Sequence, residues 1–241
     1  MARRGGLHLL RRLAGATLGA ACLLTSLAAA AGTCDSGELA EFVASRYGPA
    51  ISFDVLRNGK TVGEHVTRFD VDDDGIAVES RMRLDISILL VPVYDFTYVS
   101  RARWCDDGLV ELDARVDDNG DERRTRAVRE DDELVVRHGT RELRTAATMM
   151  PTDHWNPRVV GERQVLNTLT GNVNDVTITP CARGEPAIER AAPGSVCYAY
   201  SGALDTRVWY AADGRWSGLA FEGGDGSQIL YVCRDCAKQA I

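Results

Sequence analysis

The sequence predicts an all-β protein with a minor helical part. It reads as a large curved antiparallel β-meander, closed as a barrel or left as a half-barrel, with one short N-terminal helix; two packed sheets are the alternative. Three observations carry this expectation. Apolar residues recur at every second position through most of the 241 residues. Turn sequences such as Asn58-Gly59, Asp118-Asn119-Gly120 and Asp225-Gly226 punctuate the alternating runs. The links between runs are too short for crossover helices, so consecutive strands become antiparallel neighbours.

The chain opens with Arg3, Arg4, Arg11 and Arg12, followed by an apolar, small-residue run from Leu13 to Ala31. A charged stretch, a greasy stretch and an Ala-x-Ala end form the pattern of a cleaved signal peptide over residues 1–31. A retained membrane anchor is the competing reading, and the richness in Ala and Gly argues against it. The expected mature part is one β-rich domain over 32–241, periplasmic or secreted, with no later stretch suited to span a membrane. A general or a twin-arginine export route both remain open.

The formal net charge is −7, and the leader holds four arginines and no acid. The mature part is therefore more acidic still, and such a surface repels nucleic acid and anionic headgroups. Cys22 departs with the leader. Cys34, Cys105, Cys181, Cys197, Cys233 and Cys236 remain, an even number that predicts disulfides in an oxidising compartment. Spacing does not fix the connectivity, although Cys181 and Cys197 flank a Gly-, Pro- and Ala-rich loop and form the favoured pair. Cys233 and Cys236 make a Cys-x-x-Cys. This motif comes after a strand rather than opening a helix, and Asp235 within it disfavours a thiolate, so a structural role is expected over thiol exchange.

Asp35, with Glu38 three residues on, marks a helix over 35–47 whose apolar face is Leu39, Phe42 and Val43; Gly48 and Pro49 stop it. Ile51, Phe53 and Val55 begin the strand period. The longest run puts Ile76, Val78, Met82, Leu84, Ile86, Ile88 and Leu90 on one face. Over residues 76–90 that exceeds an ordinary strand, so curvature or a bulge is expected, with Pro92 at the break. Tyr94, Phe96, Tyr98, Ala102 and Trp104 continue the pattern, then Val110, Leu112, Ala114 and Val116. A further hairpin crosses Asp131-Asp132. Later strands lie near 173–179, 195–201, 204–211, 215–222 and 227–232. Met149 to Gly171 is less regular and partly helical.

Several segments resemble one known family. They are Trp104-Cys105-Asp106-Asp107-Gly108-Leu109, Asn119-Gly120, Pro151-Thr152-Asp153-His154-Trp155-Asn156 and Leu166-Asn167-Thr168-Leu169-Thr170-Gly171. In this order they resemble an exported bacterial family catalogued as a domain of unknown function, six-one-three-four in that series. The resemblance implies an exported β-rich domain and assigns no reaction, ligand or catalytic residue. By fold analogy it extends to periplasmic curved-sheet proteins that hold acyl chains.

Chemistry selects the candidate functional residues. His154 and Asn156 lie in the least regular stretch; His154 is a candidate base oriented by Asp153, and Asn156 a candidate donor to a ligand carbonyl or oxyanion. Their structural alternatives are a core cap and a turn before Pro157. Trp155, Met82, Ile86, Phe96, Tyr98 and Trp104 are the candidate lining of a cavity, or else plain core. Asp70-x-Asp72-x-Asp74-Gly75 copies the start of a calcium loop, but Arg81 stands where the bidentate Glu belongs, so a solvated turn is expected and no metal. The arginines at 123, 124, 126 and 129 either hold an anionic headgroup or balance neighbouring acids. No motif implies a cofactor, and the oligomeric state is not legible. The leading expectation is a binding module for a hydrophobic small molecule or lipid. The alternatives are a hydrolase or isomerase centred on His154, and an envelope structural protein with an apolar patch near Leu89 and Val91.

Overall fold

The computed structural model describes residues 34–88, 91–182, 194–234 and 236, without the side chains of 87, 88 and 91–93. The expected leader, Cys22, Leu89, Leu90 and the side chain of Val91 therefore lie outside the described residues.

Among the described residues, helix α1 (Gly37–Arg46) precedes strands β1 (Ala50–Arg57), β2 (Lys60–Asp72), β3 (Gly75–Ile88), β4 (Val91–Cys105), β5 (Gly108–Asp118), β6 (Asp121–Glu130), β7 (Glu133–His138) and β8 (Arg141–Ala146). Then come β9 (Met150–Pro151), a 3-10 turn (Pro157–Gly161), β10 (Gln164–Asn167), β11 (Asn172–Pro180), β12 (Val196–Gly202), β13 (Thr206–Tyr210), β14 (Trp216–Glu222) and β15 (Gln228–Cys233).

All fifteen strands join one sheet in the order β8-β7-β6-β5-β4-β3-β2-β1-β15-β14-β13-β12-β11-β10-β9. Every ladder is antiparallel except β9 with β10. The chain thus meanders outward from β1 to β8, then from β9 back to β15, which docks on the free side of β1 with Phe53 opposite Cys233. The two borders, β8 and β9, are consecutive in sequence, yet no ladder joins them. The sheet is curved and open, which sets aside the closed barrel and the two-sheet packing. Across the opening, β7 and β8 meet the β10–β11 turn. Arg141 donates to the Thr170 carbonyl at 2.8 Å. Gly171, at φ +64°, lies so near His138 that a Cβ there would fall 2.6 Å from the His138 Cβ.

Turn chemistry and pleat explain the register. Asn58, Asn119 and Asp131 adopt positive φ at the tips of the predicted hairpins. Side chains alternate faces, so matched positions on neighbouring strands form rows. One inward row is Phe69, Val78, Ala102, Leu112, Ala127 and Val136. It is buried throughout and forms part of the single main core. Each large apolar side chain buried here contributes about 1.5–3 kcal/mol. The long β3 bends at a bulge after Ile86 in its ladder with β4. A second bulge, at Trp104, puts Leu109 inside where alternation predicts Val110; Leu109 is 1% exposed.

Helix α1 buries Leu39 and Val43 against this core. Its N-terminus is capped differently from expectation. Asp35 takes only the Gly37 N–H at 3.3 Å. The Asp106 carboxylate, from the β4–β5 turn, accepts from Glu38 N at 3.1 Å and Leu39 N at 2.8 Å. The Cys34–Cys105 bridge stands beside this cap. Cys181–Cys197 and Cys233–Cys236 are the other two pairs. Cys233 and Cys236 are both buried. Among the described residues no helix is long and apolar enough to cross a membrane.

Candidate functional site

Beside the apolar row runs a second inward row, and it is polar and small. Thr67, Ser80, Ser100, Ala114, Thr125 and His138 face one another across β2 to β7. Thr67 Oγ1 and Ser80 Oγ are 2.9 Å apart, and His138 Nδ1 lies 2.9 Å from Thr125 Oγ1. Buried hydroxyls are tolerated because each finds a partner. Their small volume leaves space that larger side chains would fill.

A cavity of about 240 Å3 opens at the Thr67–Ser80 end of the row. Its strand walls include Thr67, Ser80, Met82, Tyr98 and Tyr231. Trp216, Leu219 and Phe221 of β14 close another side, and the irregular segment after β9 contributes Asp153, His154 and Trp155. Leu204 and exposed Asp205, between β12 and β13, stand at the rim. Local bonds fix the lining. Tyr98 Oη lies 2.9 Å from Thr168 Oγ1, and Tyr231 Oη donates to Met82 Sδ at 2.6 Å. Tyr47, just after α1, donates to the Trp155 carbonyl at 2.6 Å and accepts from Trp216 N at 2.9 Å. One phenol thus ties the helix to both tryptophan-bearing walls.

Asp153 Oδ2, His154 Nδ1 and His65 Nδ1, all on lining residues, lack hydrogen-bond partners. His65 Nε2 is 3.2 Å from Thr67 Oγ1. All three side chains are half-buried and line the cavity. Desolvation lifts Asp153 to about 6 and lowers His154 to about 4. Desolvation, helped by the neighbouring His154, takes His65 to about 3. At neutral pH both imidazoles are uncharged and Asp153 holds the charge. The Trp155 indole N–H is also unpartnered.

The residues singled out from sequence divide clearly. His154, Trp155, Met82 and Tyr98 meet at the cavity; Ile86, Phe96, Trp104 and Asn156 do not line it. Trp104 is 1% exposed and packs edge-to-face on Trp155 at 5.3 Å, one layer behind the wall. Phe96 stacks on Tyr94 at 6.4 Å. Asn156 is buried and caps the 3-10 turn, its Oδ1 accepting from Arg158 N at 3.1 Å. His154 faces the cavity as expected of a base, but its ring contacts are Tyr200 and Trp216. No carboxylate orients its Nδ1.

The arginine run is committed to acids. Arg123 pairs with Asp118 at 2.7 Å, Arg124 with Asp113, and Arg129 with Asp107 at 2.6 Å. Arg126 stands 3.9 Å from Asp113. Asp72 of the calcium-like turn pairs with Arg103 at 2.7 Å. Among the described residues no three His, Cys, Asp or Glu side chains converge as a metal site.

His65 and the hydroxyl row are not evident from the sequence. Their signal is a gap in the apolar faces: Ser80 and Ser100 interrupt otherwise continuous runs.

Residues 53–234 match the family model described as Domain of unknown function (DUF6134). No curated protein matches the chain. A crystal structure of a β-barrel-like protein of domain of unknown function DUF1849 from Brucella abortus resembles it, with a TM-score of 0.52 and 14% identity, over 76% of this chain and 94% of that one. At that identity the likeness concerns the fold alone.

Proposed function

The chain belongs to the DUF6134 family of domains of unknown function, and we propose that it is an exported binding protein for an apolar or lipid-like small molecule held inside its curved sheet. The observation that carries this reading is the cavity of about 240 Å3, walled by Met82, Tyr98, Trp155, Trp216, Leu219 and Tyr231. Apolar walls with a few convergent polar groups are the usual anatomy of a ligand pocket. Its size, below the roughly 300–1,000 Å3 of pockets for drug-sized ligands, favours one small molecule or a single short chain over a whole diacyl lipid. Three cysteine pairs at disulfide distance fit an oxidising compartment, in keeping with export.

Native mass spectrometry of gently purified protein is the test. A bound mass that is lost on denaturation, together with competition against the uncharged dye Nile red, is the expected result. An unliganded mass and no dye binding would overturn the proposal. A hydrolase or isomerase centred on His154 finds less support: the nearby hydroxyls of Thr67 and Ser80 are buried, and no base–orienter bond forms at His154.

A further inference from the structure

We propose that the ligand is an organic cation, an ammonium head on a small apolar body; this rests on the binding function inferred above and specifies its chemistry. Charge and surface both point this way. The cavity lining holds Asp153 in its depth and Asp205 at its rim, and among the described residues it contains no lysine or arginine. Asp153 Oδ2 is buried without a partner. A buried charge left unpaired is costly, and a bound ammonium answers it with a charge-assisted hydrogen bond.

The remaining walls suit the same head. Tyr98, Trp155, Trp216, Phe221 and Tyr231 present rings to one space. Aromatic faces attract cations, more strongly when water is excluded. His65 and His154 also line the cavity, each with its Nδ1 buried and unpartnered. Burial keeps both uncharged at neutral pH, so neither repels a cation.

Other heads fit less well. A carboxylate or phosphate would enter beside Asp153 with no fixed positive charge in the lining to offset it. An alcohol can bond to Asp153 but leaves its charge uncompensated. The Trp155 N–H is a single neutral donor, and a bond to it is worth less than one to an ionised carboxylate. The net charge of −7 also favours approach of cations over anions.

The test uses three ligands with one tail and different heads: octylamine, octanol and octanoate, titrated calorimetrically into the full protein near pH 7.5. Octylamine should bind at least about tenfold more tightly than octanol, a difference of about 1.4 kcal/mol, and octanoate more weakly than either. Asp153→Asn should bring octylamine down to the octanol level while octanol binding persists, which also shows that the variant is folded. Should that variant fail to fold, Asp205→Asn at the exposed rim should lower octylamine affinity by a smaller factor. Octanol or octanoate binding as tightly as octylamine would overturn the cation and leave the binding function standing. Failure of all three to bind would overturn both.

Discussion

The two halves of the sheet are built differently. The half from β1 to β8 holds the long strands, β2 to β6, with 14 residues in β3 and 15 in β4, and its rows run unbroken across six strands. From β9 to β15 none exceeds nine residues, from two in β9 to nine in β11. In the long-stranded half the buried hydroxyls are paired across ladders, as Thr67 is with Ser80. The unpartnered cavity atoms on Asp153, His154 and Trp155 come from the short-stranded half, whereas His65 stands alone in the other. A regular ladder fixes each side chain opposite a neighbour, which satisfies it. An irregular segment escapes that pairing and leaves polar atoms buried without a partner. The regular half therefore supplies a wall of paired groups, and the irregular half most of the unpartnered polar atoms on lining residues.

The strongest way to break this division is to remove the wedge between the halves. Trp155 is 1% exposed and packs on Trp104 and on Phe69. Trp155→Ala should cost about 3–5 kcal/mol in denaturant unfolding. A cost below about 1 kcal/mol would mean that the irregular segment is not part of the core.

Tyr47→Phe is the next test. It deletes the phenol that bonds the Trp155 carbonyl and Trp216 N, and it should cost about 1–3 kcal/mol. An unchanged midpoint would show that the helix does not tie the walls together.

Acid titration sharpens the comparison. His65 and His154 have folded values depressed to about 3 and about 4. They should cost the fold stability as pH falls below about 6.5, until each is protonated in the folded state too. Asp153, raised to about 6, acts in the opposite direction: its unfavourable ionisation sets in as pH rises from about 4 to about 6, then levels off. The groups facing it include Tyr98, whose own ionisation is pushed well above the usual tyrosine range. Asp153→Asn should therefore stabilise the unliganded protein at pH near 8 by about 3 kcal/mol, with little gain at pH near 4. Equal gains at both pH values would contradict the assignment of that charge.

The smallest effect is expected on the outer face. Asp113 meets Arg124 and Arg126 there, and these arginines hold its carboxyl below the usual range. Asp113→Ala should move the unfolding midpoint least of these variants, and added salt should erase the difference. A persistent loss in high salt would mean that the outer pairs carry more of the fold than their exposure suggests.

The two halves are also unequally legible from sequence. Alternation and turn residues expose the long strands, down to the bend expected near the end of β3. They misplace Val110 because a bulge changes parity without any compositional mark. At the cavity, His154 and Trp155 stand out as unusual residues in an irregular stretch. Strand parity selects Met82 and Tyr98, but the same parity also draws in Ile86, Phe96 and Trp104, since it gives the face and not the position along it. His65 sits in a strand amid Glu64 and Thr67, and nothing local tells an inward imidazole from a solvated one. Only the register that sets Thr67 opposite Ser80 reveals that polar row.

The docking of β15 on β1 bears on how this polypeptide reaches its native state. Neighbouring hairpins from β1 to β8 can zip up locally and early, since each needs only a short loop closed. The other flank of β1 must wait for the last strand. Arg234 reaches back to Asp54 across 180 residues and secures that union. Until then β1, destined for the middle of the sheet, is a border open to mispairing. A chain halted or clipped short of β15 would keep that border bare, so self-association of C-terminally shortened molecules is the kinetic hazard built into this topology.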